Sequence, residues 1–441
     1  MKNKSPLLFV IFALISLLLG IVFGLLSSVQ YIIPEFLKET LPFSKLRPFH
    51  VTSVVSWIVL SATGSIYFYL IHIEKLNFFS KKLIKTHFFI FLCTGIAIYA
   101  SLLLGKMEGR EYLAYTPILT IPILIGWLLF GVNYFKTLKN QVSNWPVYYW
   151  MWGTGITFMI YHLSEANLWL FPYFKNHIVR DVTVQWKSYG SFVGSWNMLV
   201  YGIAIYLMSK IKNDNSVARG KTVFFFYFLG LANLMFGWAH HTYLIPMQPW
   251  IRYVAYAISM TEWIILLNII YGWKKSLTKE NRENYCMAYR FLMTSDFWIF
   301  LNLILALLFS IPAINFFTHG THITVAHSMG TTIGINTTIL LASVFFIVSK
   351  IKPSFNINQF AVKKGHFLFR VSLFLFWCSL LIAGIKKSHW MYFSENILFS
   401  EMQDSLYAVY ISIFVFGFGL AISIVMISFP LLKTLMRVLK S

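Results

Sequence analysis

The chain has 441 residues, of which 58% are hydrophobic, 19% aromatic and only 12% charged, and its mean hydropathy is +0.68. A water-soluble chain carries about twice that charge, so the composition excludes a soluble globular enzyme and points to an integral membrane protein in a lipid bilayer. The 36 basic residues outnumber the 15 acidic ones and leave a formal charge of +21. Because they cluster in short loops between apolar runs, they read as topology signals and not as contacts to nucleic acid.

A helix needs roughly 20 apolar residues to cross the hydrocarbon core. Such runs lie at 7–28, 50–72, 85–105, 116–136, 147–172, 188–210, 222–245, 250–273, 292–317, 321–349, 365–385 and 405–432, which predicts an all-α bundle of twelve transmembrane helices. The first run follows Lys2 and Lys4 as a signal peptide would. It is longer than a signal core and ends in a bulky stretch, Ile32 to Leu37, with no small-residue cleavage site, so it counts as a helix. With the N-terminus inside, the loops carrying Lys75, Lys81, Lys82 and Lys85, then Lys210, Lys212, Arg219 and Lys221, then Lys274 through Arg290, all fall inside with the basic C-terminus. The positive-inside rule therefore predicts both termini in the cytoplasm. No linker or low-complexity tract interrupts the chain, so residues 1–441 read as one membrane domain. Cys93, Cys286 and Cys378 are too few and too scattered for a disulfide framework or a zinc site.

Ionisable side chains inside hydrocarbon cost a few kcal/mol each and are functional by default. The informative set is His50, His162, Glu165, His240, His241, Glu262 and His327. His50 is expected to open the second span on the outside, His240 and His241 to sit at the outer end of the seventh, and His327 about two turns into the tenth. Four imidazoles from three separate helices thus reach one depth. A lone membrane histidine is more often bonded to a backbone carbonyl, but an adjacent pair joined by two more at equal depth favours metal or haem ligation. Trp150, Trp152, Trp169, Trp186, Trp196 and Trp238 mostly lie toward the same outer half, although tryptophan favours the interface in any case. Asp296, at the expected start of the ninth span, reads as a helix N-cap. The inner halves of the spans then hold no acid, which argues against an acid-lined proton route, and Thr331, Thr332, Asn336, Thr337 and Thr338 leave a hydroxyl-and-amide track on the tenth.

Three segments, LRPFHVTSVVSW at 46–57, WAHHTYLIPMQPW at 238–250 and THGTHITVAHSMG at 318–330, resemble in order the ligand segments of the haem-copper oxidase superfamily. They look most like the large subunit of nitric oxide reductase and the C-type oxygen reductases. The resemblance implies a twelve-helix fold of that type and two haems, one low-spin and one high-spin, expected to be b-type. It gives His50 as a low-spin haem ligand, His327 as the proximal ligand of a high-spin haem, and His240 with His241 as ligands of a non-haem iron or copper. Glu262 lies 21 residues after His241, where nitric oxide reductases place a glutamate beside the site. Glu108-Gly-Arg-Glu111 resembles a loop that in the family lies near haem propionates and a calcium ion.

Three departures stand out. The tenth segment reads His327-Ser328-Met329 where the family has His-x-His, so Met329 is expected to join His50 on the low-spin haem. The sixth segment has Gly190 and Gly194 where the family places a metal histidine and a carboxylate. Two histidines hold a divalent ion poorly, so either the non-haem metal is absent or another group, Glu262 or Glu165, completes the shell. No tyrosine aligns with the cross-linked tyrosine of oxygen reductases, and Tyr243 is only near the pair. Nitric oxide coupling needs two electrons and oxygen cleavage four, so the chemistry leans to a nitric oxide reductase, with Glu262 as the last proton donor. Electrons would enter from a cytochrome c-type small subunit or a quinol, since the chain has no C-x-x-C-H motif. The setting implied is a cell inner membrane with the haem sites toward the external side and a small gaseous substrate. The alternatives are a terminal oxygen reductase, a non-catalytic haem sensor or electron carrier, and, least supported, a transporter.

Overall fold

The computed structural model describes residues 4–351, 359–394 and 396–440; the side chains of Trp238 and Glu262 lie outside the described residues. In chain order the long helices are α1 Ser5–Val29, α2 Phe43–Ile73, α3 Lys81–Leu103, α4 Thr120–Leu138, α5 Val147–Glu165 and α6 Ile178–Lys212. They continue with α7 Lys221–Phe236, α8 Pro249–Ser276, α9 Cys286–Ser310, α10 His322–Ile351, α11 Gln359–Phe393 and α12 Tyr407–Lys440. Among the described residues there is no strand beyond one isolated bridge between Arg110 and Leu113. Among the described residues nine helices are long and apolar enough to cross a membrane, and α7 is a shorter apolar helix. The expected spans at α5 and α8 fall outside those nine.

Neighbours in sequence pack as pairs: α1 with α2, α3 with α4, α5 with α6, α7 with α8, α9 with α10 and α11 with α12. Contact between α1 and α12 brings the last pair back to the first. Lys4 Nζ donates to the Leu439 carbonyl at 3.1 Å, so the two chain ends lie at one end of the bundle. Trp273 Nε1 donates to the Met208 carbonyl at 2.9 Å, and Lys210 pairs with Glu74 at 2.7 Å, which places the C-terminal ends of α2, α6 and α8 together.

The centre is built from α2, α6 and α10, which touch one another and bury most of their apolar stretches. Lipid tails are as apolar as leucine, so close packing and internal hydrogen bonds must hold these helices together. Trp57 Nε1 donates to Thr337 Oγ1 at 3.0 Å, Ser65 and Tyr69 share Ser343 at 2.6 and 2.5 Å, and Asn336 donates to Asn197 at 3.0 Å. Small residues set the approach distance between α5 and α6: a Cβ on Gly155 would come within 2.6 Å of Leu199, and one on Gly202 within 2.6 Å of Trp152.

Helix ends differ from the sequence expectation where it matters for function. α2 begins at Phe43, with Pro48 inside it, so His50 sits about two turns into the helix and does not open it. α7 ends at Phe236, and Gly237–His241 is a 3₁₀ turn, so the histidine pair is not on an α-helix. α9 begins at Cys286, which puts Asp296 well inside it and removes the N-cap reading. Within α10, Gly330–Thr337 is a π-helical stretch directly after Met329.

Candidate functional site

A cavity of about 350 Å³ lies among α2, α6, α7, α9 and α10, and His50, His240, His241, His327, Ser328 and Met329 all line it. Imidazoles from three separate segments of the chain thus line one cavity. His50 is near the start of α2, the histidine pair follows the end of α7, and His327 is near the start of α10. These are the helix ends opposite the chain termini. Gly190 and Gly194 form part of the same wall.

His50 has a prepared seat. Its Nδ1 donates to the Gly20 carbonyl of α1 at 2.7 Å, which leaves Nε2 with a free lone pair, as an axial ligand requires. A Cβ on Gly24 would lie 2.8 Å from that ring, so glycine is what lets α1 come this close. The loop between α3 and α4 lies at this end of the cavity and contributes Tyr112 to its lining. Glu111 pairs with Arg47 one turn before His50, and Arg110 pairs with Asp181 at 2.8 Å while its guanidinium lies 4.6 Å from the Trp169 ring. In this loop Tyr112 takes φ +62°, a costly left-handed conformation for a bulky residue, and its side chain reaches the cavity. Burial pushes its hydroxyl up to about 12, so it stays a neutral hydrogen-bonding group.

The opposite wall is less finished. The rings of His240 and His241 lie 4.1 Å apart and tilted by 37°, and Asn315 Nδ2 ties the His240 carbonyl at 3.1 Å. Nδ1 of His240 and Nδ1 of His327 are buried without a hydrogen-bond partner of good geometry, as are Trp196 Nε1, Ser191 Oγ and Asn302 Oδ1. Orphaned polar atoms are costly in a finished core. A cavity with buried imidazoles, one of them oriented by a backbone carbonyl, and otherwise largely apolar walls fits a haem. For a second metal the fit is weaker: among the described residues no group of three His, Cys, Asp or Glu side chains is placed to hold an ion.

Several expected residues fall elsewhere. Glu165 accepts from His162 Nδ1 at 3.0 Å and pairs with Lys187, so it belongs to a link between α5 and α6 and not to the cavity lining. Tyr243 donates to the Ser310 carbonyl at 3.1 Å and likewise does not line the cavity. A Cβ on Gly194 would lie 2.7 Å from Leu234, so leucine occupies the space beside that position. Tyr201, Tyr227, Asn197 and Asn302 line the cavity without having been singled out from the sequence. The signal was available for the asparagines, since an amide inside an apolar run is itself expensive.

Comparison with known proteins concerns the chain as a whole. Residues 4–432 match the family model described as cytochrome c and quinol oxidase polypeptide I. The chain is 23% identical to a nitric oxide reductase subunit from Stutzerimonas stutzeri over 346 residues, covering 72% of this chain and 69% of the relative. It is 20% identical to a cytochrome c oxidase subunit 1 homolog of Agrobacterium tumefaciens over 415 residues, covering 89% and 75%. A haem-copper terminal oxidase dimer solved by cryo-EM shares the fold, with a TM-score of 0.74 at 13% identity over 98% of this chain and 84% of that one. A match across nearly the whole length, on a bundle whose central cavity gathers the histidines, makes this chain a member of the cytochrome c and quinol oxidase polypeptide I family, within the haem-copper oxidase superfamily.

Proposed function

We propose that the chain is the haem-bearing subunit of a membrane reductase that converts two molecules of nitric oxide, two electrons and two protons into nitrous oxide and water. The observation that supports this best is the cavity lined jointly by His50, His240, His241, His327 and Met329. In this reading His50 and Met329 hold a low-spin b-type haem and His327 holds a high-spin one. His240 and His241, with Glu262, hold a non-haem iron or copper. When bound, the high-spin haem supplies an iron that takes up the gas and delivers electrons to it.

The chain's own residues do the rest. The Gly20 carbonyl fixes the His50 ring so that its ligating nitrogen faces the cavity. The Arg47–Glu111 and Arg110–Asp181 pairs hold the outer loop beside the site. Largely apolar walls exclude bulk water and strengthen every polar contact inside. Glu262 is assigned the final proton transfer. The Glu108–Glu111 loop is the candidate place for calcium. Twelve crossings with both termini in the cytoplasm set the haems toward the external face of a cell inner membrane, where a cytochrome c-type subunit or a quinol donates electrons.

Oxygen reduction is the second reading, and one observation favours it: Tyr112, Tyr201 and Tyr227 line the cavity, and a phenol beside the site is the extra electron source that cleaving oxygen demands. Assay of the purified protein for nitrous oxide release and for oxygen uptake separates the two. Haem binding with turnover of neither gas would overturn both and leave an electron carrier.

A further inference from the structure

The last four helices carry almost no negative charge. Asp296 is the only acid in the sequence of α9, and those of α10, α11 and α12 hold none. Asp296 is already taken by Lys274 at 3.2 Å. Arg290, one turn into α9, and Arg370, three turns into α11, are both exposed. Neither guanidinium has an ion-pair or hydrogen-bond partner among the described residues. The two arginines flank one buried side chain. His366 of α11 lies between the helices with Nε2 donating to Thr294 Oγ1 of α9 at 2.8 Å, and both arginines are near enough to act on its ring by charge. The Thr294 hydroxyl in turn donates to the Arg290 carbonyl at 3.1 Å.

Their depths agree. Arg290 precedes the end of α9 at Ser310 by 20 residues, about 30 Å at 1.5 Å per residue, and Arg370 precedes the end of α11 at Phe393 by 23, about 35 Å. A hydrocarbon core is about 30 Å thick, so both guanidiniums reach its boundary on the side of the chain termini, where lipid phosphates lie. Below them the two helices leave a seam. α9 and α11 meet through side chains, with little close approach of their backbones. Phe297 and Phe374 stand along that seam with rings 6.4 Å apart, 46% and 40% exposed. Phe297 is two turns from Arg290 and Phe374 one turn from Arg370, so each ring shares a helix face with its arginine. Unbalanced cations at the head of an apolar seam match an amphiphile with a negative head. The planar guanidinium fork fits phosphate oxygens, and basic pockets between membrane helices hold anionic headgroups.

We propose that Arg290 and Arg370 hold the phosphate of one anionic glycerophospholipid from the leaflet on the side of the chain termini, with an acyl chain laid along Phe297 and Phe374. Native mass spectrometry of the full chain in detergent tests this, with phosphatidylglycerol and phosphatidylcholine of identical acyl chains as probes. The wild type should retain one phosphatidylglycerol with a preference of roughly 25-fold, and Arg290→Gln and Arg370→Gln should each lower that about fivefold and together abolish it. Lys81→Gln with Lys82→Gln removes the same charge from the start of α3, at the same end of the bundle, and should leave the preference unchanged. Arg290→Lys with Arg370→Lys should keep part of it, since ammonium retains the charge and loses the fork. Equal retention of both lipids by the wild type, as a face reserved for a partner helix would give, overturns the site. An equal fall in the α3 variant does the same, because general attraction to a basic surface then suffices. Displacement of the bound lipid by inorganic phosphate or glycerol phosphate overturns its assignment to a lipid. A second measurement needs no variant. Phosphatidylglycerol carrying a diazirine in its acyl chain, mixed into vesicles with the wild-type chain, should label residues 297–304 and 371–378 ahead of the other lipid-facing helices; even labelling around the bundle overturns the seam.

Discussion

The seats of His50 and of the His240–His241 pair face one cavity but are built to different standards. His50 stands inside a regular helix, is held by a 2.7 Å hydrogen bond from its Nδ1 to Gly20, and has a neighbouring helix thinned to glycine to admit it. The pair stands on a 3₁₀ turn, His240 Nδ1 has no good partner, and the wall beside it is lined by Gly190 and Gly194. Imidazole that must hold one geometry through many redox cycles gains from a fixed orientation. A wall that is bare and incompletely bonded leaves room for a substrate or for a group the chain does not itself complete. The difference locates the rigid half of the site at α1 and α2 and the adaptable half at α6 and α7.

Five substitutions bear on that contrast. The largest effect is expected from His327→Ala, which should remove the high-spin haem signal and abolish gas turnover; an unchanged high-spin spectrum with full haem content would refute the assignment. His50→Ala should lose the low-spin haem, and Gly24→Val, which does not line the cavity, should do much the same by driving a side chain into the His50 ring; haem quantification and the low-spin spectrum report both. Met329→Ala is expected to be milder, with haem retained but its reduction potential lowered, since exchanging a thioether ligand for none or for water removes the bond that raises it; a redox titration checks this. Glu111→Gln should be smallest: the Arg47–Glu111 pair is half exposed, so the loss is at most about 1 kcal/mol, read as a slight fall in thermal stability of the haem-loaded protein.

Much of this architecture is legible in the sequence. Apolar runs of membrane length mark the helices because hydrocarbon leaves the backbone few other ways to satisfy its polar groups, and the isolated histidines stand out against that background. Helix ends are where sequence and structure part. The apolar run of the ninth helix starts near Leu292, because Arg290 and the polar residues before it look like loop, whereas α9 begins at Cys286 and carries Arg290 and Asp296 within it. A long basic side chain near a helix end can snorkel to water, so charge marks the interface poorly. The same ambiguity hides the start of α2, where Arg47 and Pro48 are inside the helix. Which polar residues face the cavity is hidden too, because lipid-facing and core-facing sides are equally apolar and periodicity carries no information there. Glu165 is drawn toward the site by its residue type alone, and its partner Lys187 lies on another helix, at a spacing no local pattern reveals.

The π-helical stretch from Gly330 to Thr337 follows the last cavity-lining ligand candidate and precedes the most deeply packed part of α10. A π turn carries one residue more than an α turn, so it offsets the angular phase of the two halves of the helix. His327 and Met329 can therefore be aimed at the cavity while Ser343 and its neighbours keep their own bearing on α2. Removing a single residue from this stretch would leave every side chain of the ligand segment in place in the sequence and yet turn that segment about its axis relative to the helix below. The position of His327 in space is thus encoded partly by a surplus residue several places downstream of it.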